Sequence, residues 1–151
     1  MKKILHLWFL MMMLSACTYA NPPQWFIYWN DAVQASALQG KPILMVFSGS
    51  DWCKPCMMLE KAVFEVPDFQ EYAAQHLVLL KVDFPRKKKN SLSEAQSKHN
   101  ASLAEKYNPE GEFPAILLLN DNGDLLSKVH TRYTTADEFI GYIQHLLTSQ
   151  K

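Results

Sequence analysis

The sequence predicts one α/β domain, a mixed central sheet flanked by helices, and three observations predict it. Two short apolar runs, Pro42 to Phe47 and Leu77 to Phe84, lie either side of a stretch with helical spacing. Two more, Ala115 to Leu119 and Leu125 to His130, are separated by the turn sequence Asn120-Asp121-Asn122-Gly123. An apolar stripe through Phe139, Ile143, Leu146 and Leu147 then closes the chain. Apolar runs this short suit strands covered on both faces rather than helices. A helix joining two parallel strands makes a right-handed unit, and a hairpin adds antiparallel strands to the same sheet.

At 151 residues, 48% apolar and 20% charged, the chain can bury one ordinary core and does not need two. Lys plus Arg equals Asp plus Glu at 15 each. No overall field therefore favours nucleic acid or an acidic membrane surface.

Residues 1–20 read as a signal peptide: Lys2 and Lys3 precede an apolar run from Ile4 to Leu14, followed by small and polar residues. The run is interrupted by His6 and is shorter than the roughly 20 residues a membrane span requires. Two cleavage signals overlap. Leu14-Ser15-Ala16-Cys17 resembles a bacterial lipobox, which would make Cys17 the lipidated first residue, and Thr18-Tyr19-Ala20 before Asn21 resembles an ordinary leader-peptidase site. Residues 21–151 form the domain, expected in the periplasm and, on the lipobox reading, tethered by a lipid anchor.

Within that domain, residues 21–29 read as a short linker leading into an apolar first segment. Asn30 is placed to cap a helix over 31–39, which Gly40 ends. After the first strand and Ser48-Gly49-Ser50-Asp51, helical spacing runs through Met57, Met58, Ala62 and Val63. Pro67 with Asp68 restarts a helix to about Gln75. Residues 85–112 are polar, with a helix from about Ser91 to Tyr107, and their composition predicts surface. The hairpin follows, and Thr135 with Glu138 matches a capping box for the last helix.

The chemistry-bearing feature is Trp52-Cys53-Lys54-Pro55-Cys56 at the first strand-to-helix junction. A disulfide with a two-residue spacer closes almost no loop and so adds little stability, which points to a pair that reacts. Thiol-disulfide exchange needs a thiolate, an accessible sulfur and a nearby resolving thiol. Cys53, at the helix start, is the expected nucleophile, because unpaired N–H groups and the helix dipole favour its anion. Cys56, one turn inside, is the expected resolving thiol. Pro55 is tolerated in a first turn, where its missing N–H would have no partner. Lys54 adds positive charge beside Cys53 unless it turns to solvent, and Trp52 covers one side.

The order β-α-β, connecting helix, β-β-α, with this motif and with Phe113-Pro114 before the third long strand, resembles the thioredoxin fold over roughly residues 25–148. Phe47-Ser48-Gly49-Ser50-Asp51-Trp52-Cys53 and Val82-Asp83-Phe84-Pro85 resemble bacterial exported thioredoxin-like proteins, including periplasmic disulfide reductases. The resemblance implies a polar helical insertion before the strand that Pro114 enters. It also implies a cis-proline at Pro114, preceded by Phe113, beside the active pair, and a redox-active disulfide as the only reactive group, with no cofactor. Classical thioredoxins carry a buried acid in the first strand, and the aligned position here is Val46. Water, Asp51 or Glu60 would then have to receive the resolving thiol's proton. Asp51 also reads as a cap for the helix that carries the cysteines.

Other readings of the pair lack support in the sequence. Four-coordinate zinc wants two more ligands, and His76, His99, His130 and His145 have no paired spacing. Haem attachment wants histidine where Met57 stands. Met57 and Met58 suit Cu(I), which makes a copper-binding assembly factor an alternative, although methionines at helical spacing read as core filler. Arg86-Lys87-Lys88-Lys89 reads as a solvated loop rather than a docking patch.

The expected activity is monomeric protein-disulfide oxidoreduction, exchanging with thiols and disulfides of exported proteins. Pro55 before the second cysteine resembles the reducing C-G-P-C of thioredoxin, which favours a reductase over an oxidase; a disulfide isomerase is the runner-up, although no dimerisation segment is evident. A reductase in an oxidising compartment needs recharging by a membrane thiol-reducing partner.

Overall fold

The computed structural model of the chain describes residues 22–130 and 135–149. The leader, Cys17 and both cleavage signals lie outside the described residues. In chain order the elements are β1 (Trp25–Phe26), α1 (Trp29–Gln39), β2 (Ile43–Ser48), α2 (Lys54–Leu59) continuing into a π-helical turn (Glu60–Phe64), α3 (Pro67–His76), β3 (Val78–Asp83), a single 3-10 turn (Lys88–Asn90), α4 (Glu94–Tyr107), β4 (Ala115–Leu119), β5 (Leu125–Val129) and α5 (Ala136–Thr148). The five strands form one sheet in the order β1-β3-β2-β4-β5. β1 and β2 lie parallel to β3, while β4 is antiparallel to β2 and β5 to β4. The sheet is mixed, as the sequence predicts.

Every residue of β2 is buried. Side chains of a strand point alternately to its two faces, so a strand without polar positions must be covered on both. On one face Leu44, Val46, Leu79, Ile116 and Leu118 pack against α2, α3 and α5. Phe64, Phe69 and Phe139 fill that layer with ring centroids 5.2 to 5.8 Å apart, in tilted and edge-to-face arrangements. On the other face Met45, Phe47, Leu80, Val82 and Leu117 meet Ala32 of α1 and Leu103 of α4.

Several termini follow the local sequence. Gly40 ends α1 in the left-handed conformation at φ 63°. The Thr135 side chain accepts the Glu138 N–H at 3.3 Å, opening α5. Gly123 ends its turn at φ 83°, where an added Cβ would lie 2.7 Å from Trp29 and 2.9 Å from the Tyr107 hydroxyl.

Other positions differ from the sequence reading. Asn30 is not a cap: α1 begins at Trp29, whose N–H donates to Nε2 of His99 at 3.1 Å, so α4 supplies the acceptor. The segment read as a linker contains β1. The polar stretch 85–112 is not all surface, since Gln96, Asn100 and Asn108 are buried. Gln96 donates to the Ile27 carbonyl and to Asn100 Oδ1, and Asn100 donates to the Asp83 carbonyl. These bonds offset the desolvation of the groups that make them, Gln96 Oε1 being left without a partner, and tie α4 to the ends of β1 and β3.

Candidate active site: a disulfide at a strand-to-helix junction

The end of β2 places the cysteines. The Gly49 carbonyl accepts the N–H groups of Trp52 and Cys53 at 3.2 and 2.9 Å, which folds the chain back into a tight turn. Asp83, at the end of β3, holds this turn by accepting from Ser50 N at 2.9 Å and Ser50 Oγ at 2.6 Å. Gly49 must be glycine: a Cβ there would sit 2.6 Å from Cζ2 of the Trp52 ring.

Cys53 is extended (φ −85°, ψ 98°) and occupies the N-cap of α2. Its Sγ accepts the Cys56 N–H at 3.2 Å. The two are joined by an S–S bond of 2.09 Å with Cα atoms 5.3 Å apart. Both are 4% exposed, so burial does not tell one from the other. Their positions do: Cys53 is the cap and Cys56 lies within the first turn. Pro55 also falls in that turn, and Lys54 is exposed, where solvent weakens its influence on the sulfur.

Trp52 is held on three sides. Its Nε1–H donates to the Phe84 carbonyl at 2.6 Å, the Phe113 ring meets its edge at 5.3 Å, and the Arg86 guanidinium lies 3.8 Å from its centroid. Phe84 and Phe113 also pack edge to face at 5.5 Å. The Phe113–Pro114 bond is cis. Pro114, Phe113 and Pro55 line one cleft of about 590 Å³.

Asp51 does not cap α2, since Cys53 takes that position. Its carboxylate accepts from the backbone N–H groups of Arg86 and Lys87 at 2.9 and 3.0 Å and from the Asn90 side-chain amide at 2.8 Å. The Arg86 N–H, with Asn90 and Lys87 adding to it, holds the Asp51 carboxyl below its ordinary value of 3.8, against the opposing pull of desolvation. The run Arg86 to Lys89 is exposed, as predicted, but its backbone is fixed by this carboxylate.

Val46 is 2% exposed and faces the layer beneath α2. Lys81 stands beside it in the β2–β3 register and reaches Glu60, donating to both carboxylate oxygens at 2.9 and 2.8 Å. Glu60, Lys81, Cys56 and Met57 line a cavity of about 340 Å³. The sequence raised Glu60 but not Lys81, whose signal was its position opposite Val46 in the neighbouring strand. Met57 and Met58 are not core filler: they are 38% and 61% exposed.

A parallel-antiparallel sheet of this order, with a C-x-x-C disulfide at the start of the helix after β2, defines a thioredoxin-fold redox domain. Residues 29–147 match the family described as a thioredoxin-like domain, and the chain belongs to that family. Its relatives include proteins named as a disulfide bond reductase and as thiol:disulfide interchange proteins. It is 33% identical over 106 residues to the disulfide bond reductase DsbH of Chlamydia pneumoniae, a match covering 70% of this chain and 61% of that protein. It is 30% identical over 106 residues to the thiol:disulfide interchange protein DsbD of Haemophilus influenzae, a match covering 70% of this chain and 16% of that protein. A solved DsbH oxidoreductase superposes with a TM-score of 0.78 at 26% identity, covering 91% of this chain and 92% of the other.

Proposed function

We propose that this chain is a thiol-disulfide oxidoreductase acting on exported proteins, running as a reductase, with Cys53 as nucleophile and Cys56 as resolving thiol. One observation carries the assignment of roles: the Cys53 sulfur sits at the helix cap with the Cys56 N–H directed at it. When the disulfide is reduced, an anion on Cys53 gains that hydrogen bond and the positive end of the helix dipole. A thiol at Cys56, inside the turn, gains neither.

The Cys53 thiolate attacks a substrate disulfide, breaking its S–S bond and releasing one substrate thiolate, which takes a proton from solvent. Cys56 loses its proton and attacks Cys53 Sγ. The mixed disulfide breaks, the second substrate sulfur leaves as a thiol, and the Cys53–Cys56 bond carries away the two electrons' worth of oxidation. Phe113 and Pro114, on the wall of the cleft that Pro55 also lines, are suited to hold an extended substrate segment against the pair.

The reducing direction is supported by Pro55 ahead of Cys56 and by the reductase name of the Chlamydia relative. Export is supported by the leader pattern of residues 1–20, and a reductase in such a compartment takes its electrons from a membrane thiol-reducing partner. The test is the equilibrium reduction potential of the Cys53–Cys56 couple against glutathione. A value near about −270 mV supports the reductase, and one near about −120 mV overturns it in favour of an oxidase.

A further inference from the structure

The chain as a whole has no net charge, yet Arg86, Lys87, Lys88 and Lys89 place four cations in a row, the first of them over Trp52, which precedes Cys53. A run of this kind on a free loop would be solvated and diffuse. Here Asp51 grips the loop at three points, two of them backbone N–H groups, so the carboxylate fixes the backbone while leaving the cationic heads outward. All four are exposed, and no carboxylate lies within ion-pair distance of any of them among the described residues. The Arg86 guanidinium lies over the Trp52 ring, 3.8 Å from its centroid. Next to it lies a groove of about 540 Å³ with a mixed lining, Trp52, Phe84 and Phe113 on the apolar side and Asp83, Ser97 and Asn100 on the polar side.

Four exposed cations on a braced loop, beside the Trp52 that precedes the reactive pair, are suited to a peptide that carries acidic side chains close to its own cysteine. A membrane surface fits less well, because seating this face on lipid would turn the cysteine pair into the bilayer and away from protein disulfides. We propose that the Arg86–Lys89 loop is a docking surface that selects protein substrates with acidic residues flanking the disulfide to be reduced. This deepens the function proposed above and rests on it. The electron transfer is unchanged: the substrate disulfide is reduced to two thiols as the Cys53–Cys56 dithiol is oxidised, and the loop acts only on encounter.

The experiment uses pre-reduced protein in single turnover against three disulfide-bonded peptides that differ only in flanking residues: acidic, neutral and basic. The second-order rate constant is followed from low to high salt for the wild type and for K87A/K88A/K89A. Arg86 is retained because it contacts Trp52. The wild type should reduce the acidic peptide about 10-fold faster than the neutral one at low salt, the low end of what charge steering provides, and the advantage should shrink as salt screens it. The triple variant should bring the acidic-to-neutral ratio close to one. A wild-type ratio of one, or a ratio that survives the triple substitution, overturns the docking surface while leaving reduction of the neutral peptide as evidence for the oxidoreductase. No reduction of any peptide overturns the oxidoreductase reading itself. Binding to phosphatidylglycerol vesicles that is lost in K87A/K88A/K89A, together with a peptide ratio of one, assigns the loop to a membrane surface and overturns the proposal.

Discussion

Lys81 donates to both carboxylate oxygens of Glu60, in the cavity that also holds Cys56. The pair places an acid on the helix that carries the cysteines, one strand away from Val46, where a classical thioredoxin has its acid. Cys56 must shed a proton before it can attack; Glu60 and Glu65 both line its cavity, and Glu60 is the one whose carboxylate oxygens are held by Lys81. Glu60→Gln should therefore slow resolution of the mixed disulfide by about 100-fold, the lower end of the usual contribution of a positioned base. Stopped-flow measurement of mixed-disulfide decay across pH checks this. An unchanged rate would remove Glu60 from the step.

The asymmetry of the two cysteines predicts different failures. Cys56→Ser should leave a covalent complex between Cys53 and substrate, because nothing remains to resolve it. Cys53→Ser should give no complex and no turnover. Non-reducing electrophoresis with mass spectrometry of the trapped species distinguishes them, and complex formation through Cys56 would reverse the assigned roles.

Asp51 should act on the 86–90 loop and not on proton transfer. Its folded-state carboxyl lies below 3.8, so the stabilisation it brings is fully present above that value and is lost as pH falls through the lower, folded value. The Arg86 and Lys87 amides should stay protected from hydrogen exchange at pH 5 and become labile only below 3.8. Asp51→Asn should expose them to exchange at neutral pH, with no change in the resolution rate across pH. Exchange measured by NMR on both proteins tests the first two statements, and the decay experiment tests the third.

Gly49→Ala should cost about 1–3 kcal/mol, the usual range for overpacking, because its Cβ would meet the Trp52 ring within van der Waals contact. The effect should appear as a lowered melting temperature and as a displaced Trp52 indole N–H resonance, since that proton is bonded to the Phe84 carbonyl. A normal melt with an unmoved resonance would show that the backbone at Gly49 shifts to accept the methyl group while the ring stays in place.

What the sequence made legible was what is written locally. Strand runs, the Gly40 stop, the Thr135 cap and the hairpin turn each depend on residues within a few positions of one another, and so does the C-x-x-C motif. What it concealed depends on partners far along the chain. Asn30 looked like a cap because the true acceptor, His99, is 70 positions away. Asp51 looked like a cap because its partners begin 35 positions on. Gln96 and Asn100 looked like surface because their partners are backbone carbonyls of β1's exit and β3's end. Met57 and Met58 have the spacing of a buried stripe, but the turn after β2 rotates α2 so that Cys56 and Leu59 face inward instead.

The walls around Trp52 also set an order in time. A ribosome delivers Cys53 and Cys56 well before Phe84, Arg86 and Phe113, the three residues that close around the indole. A nascent chain released only as far as the middle of α4 would already hold both thiols, Phe84 and Arg86, with Phe113 still to come. The reactive atoms thus exist before the surroundings that discriminate among their partners. In that interval the same two sulfurs are open to any oxidant that reaches them.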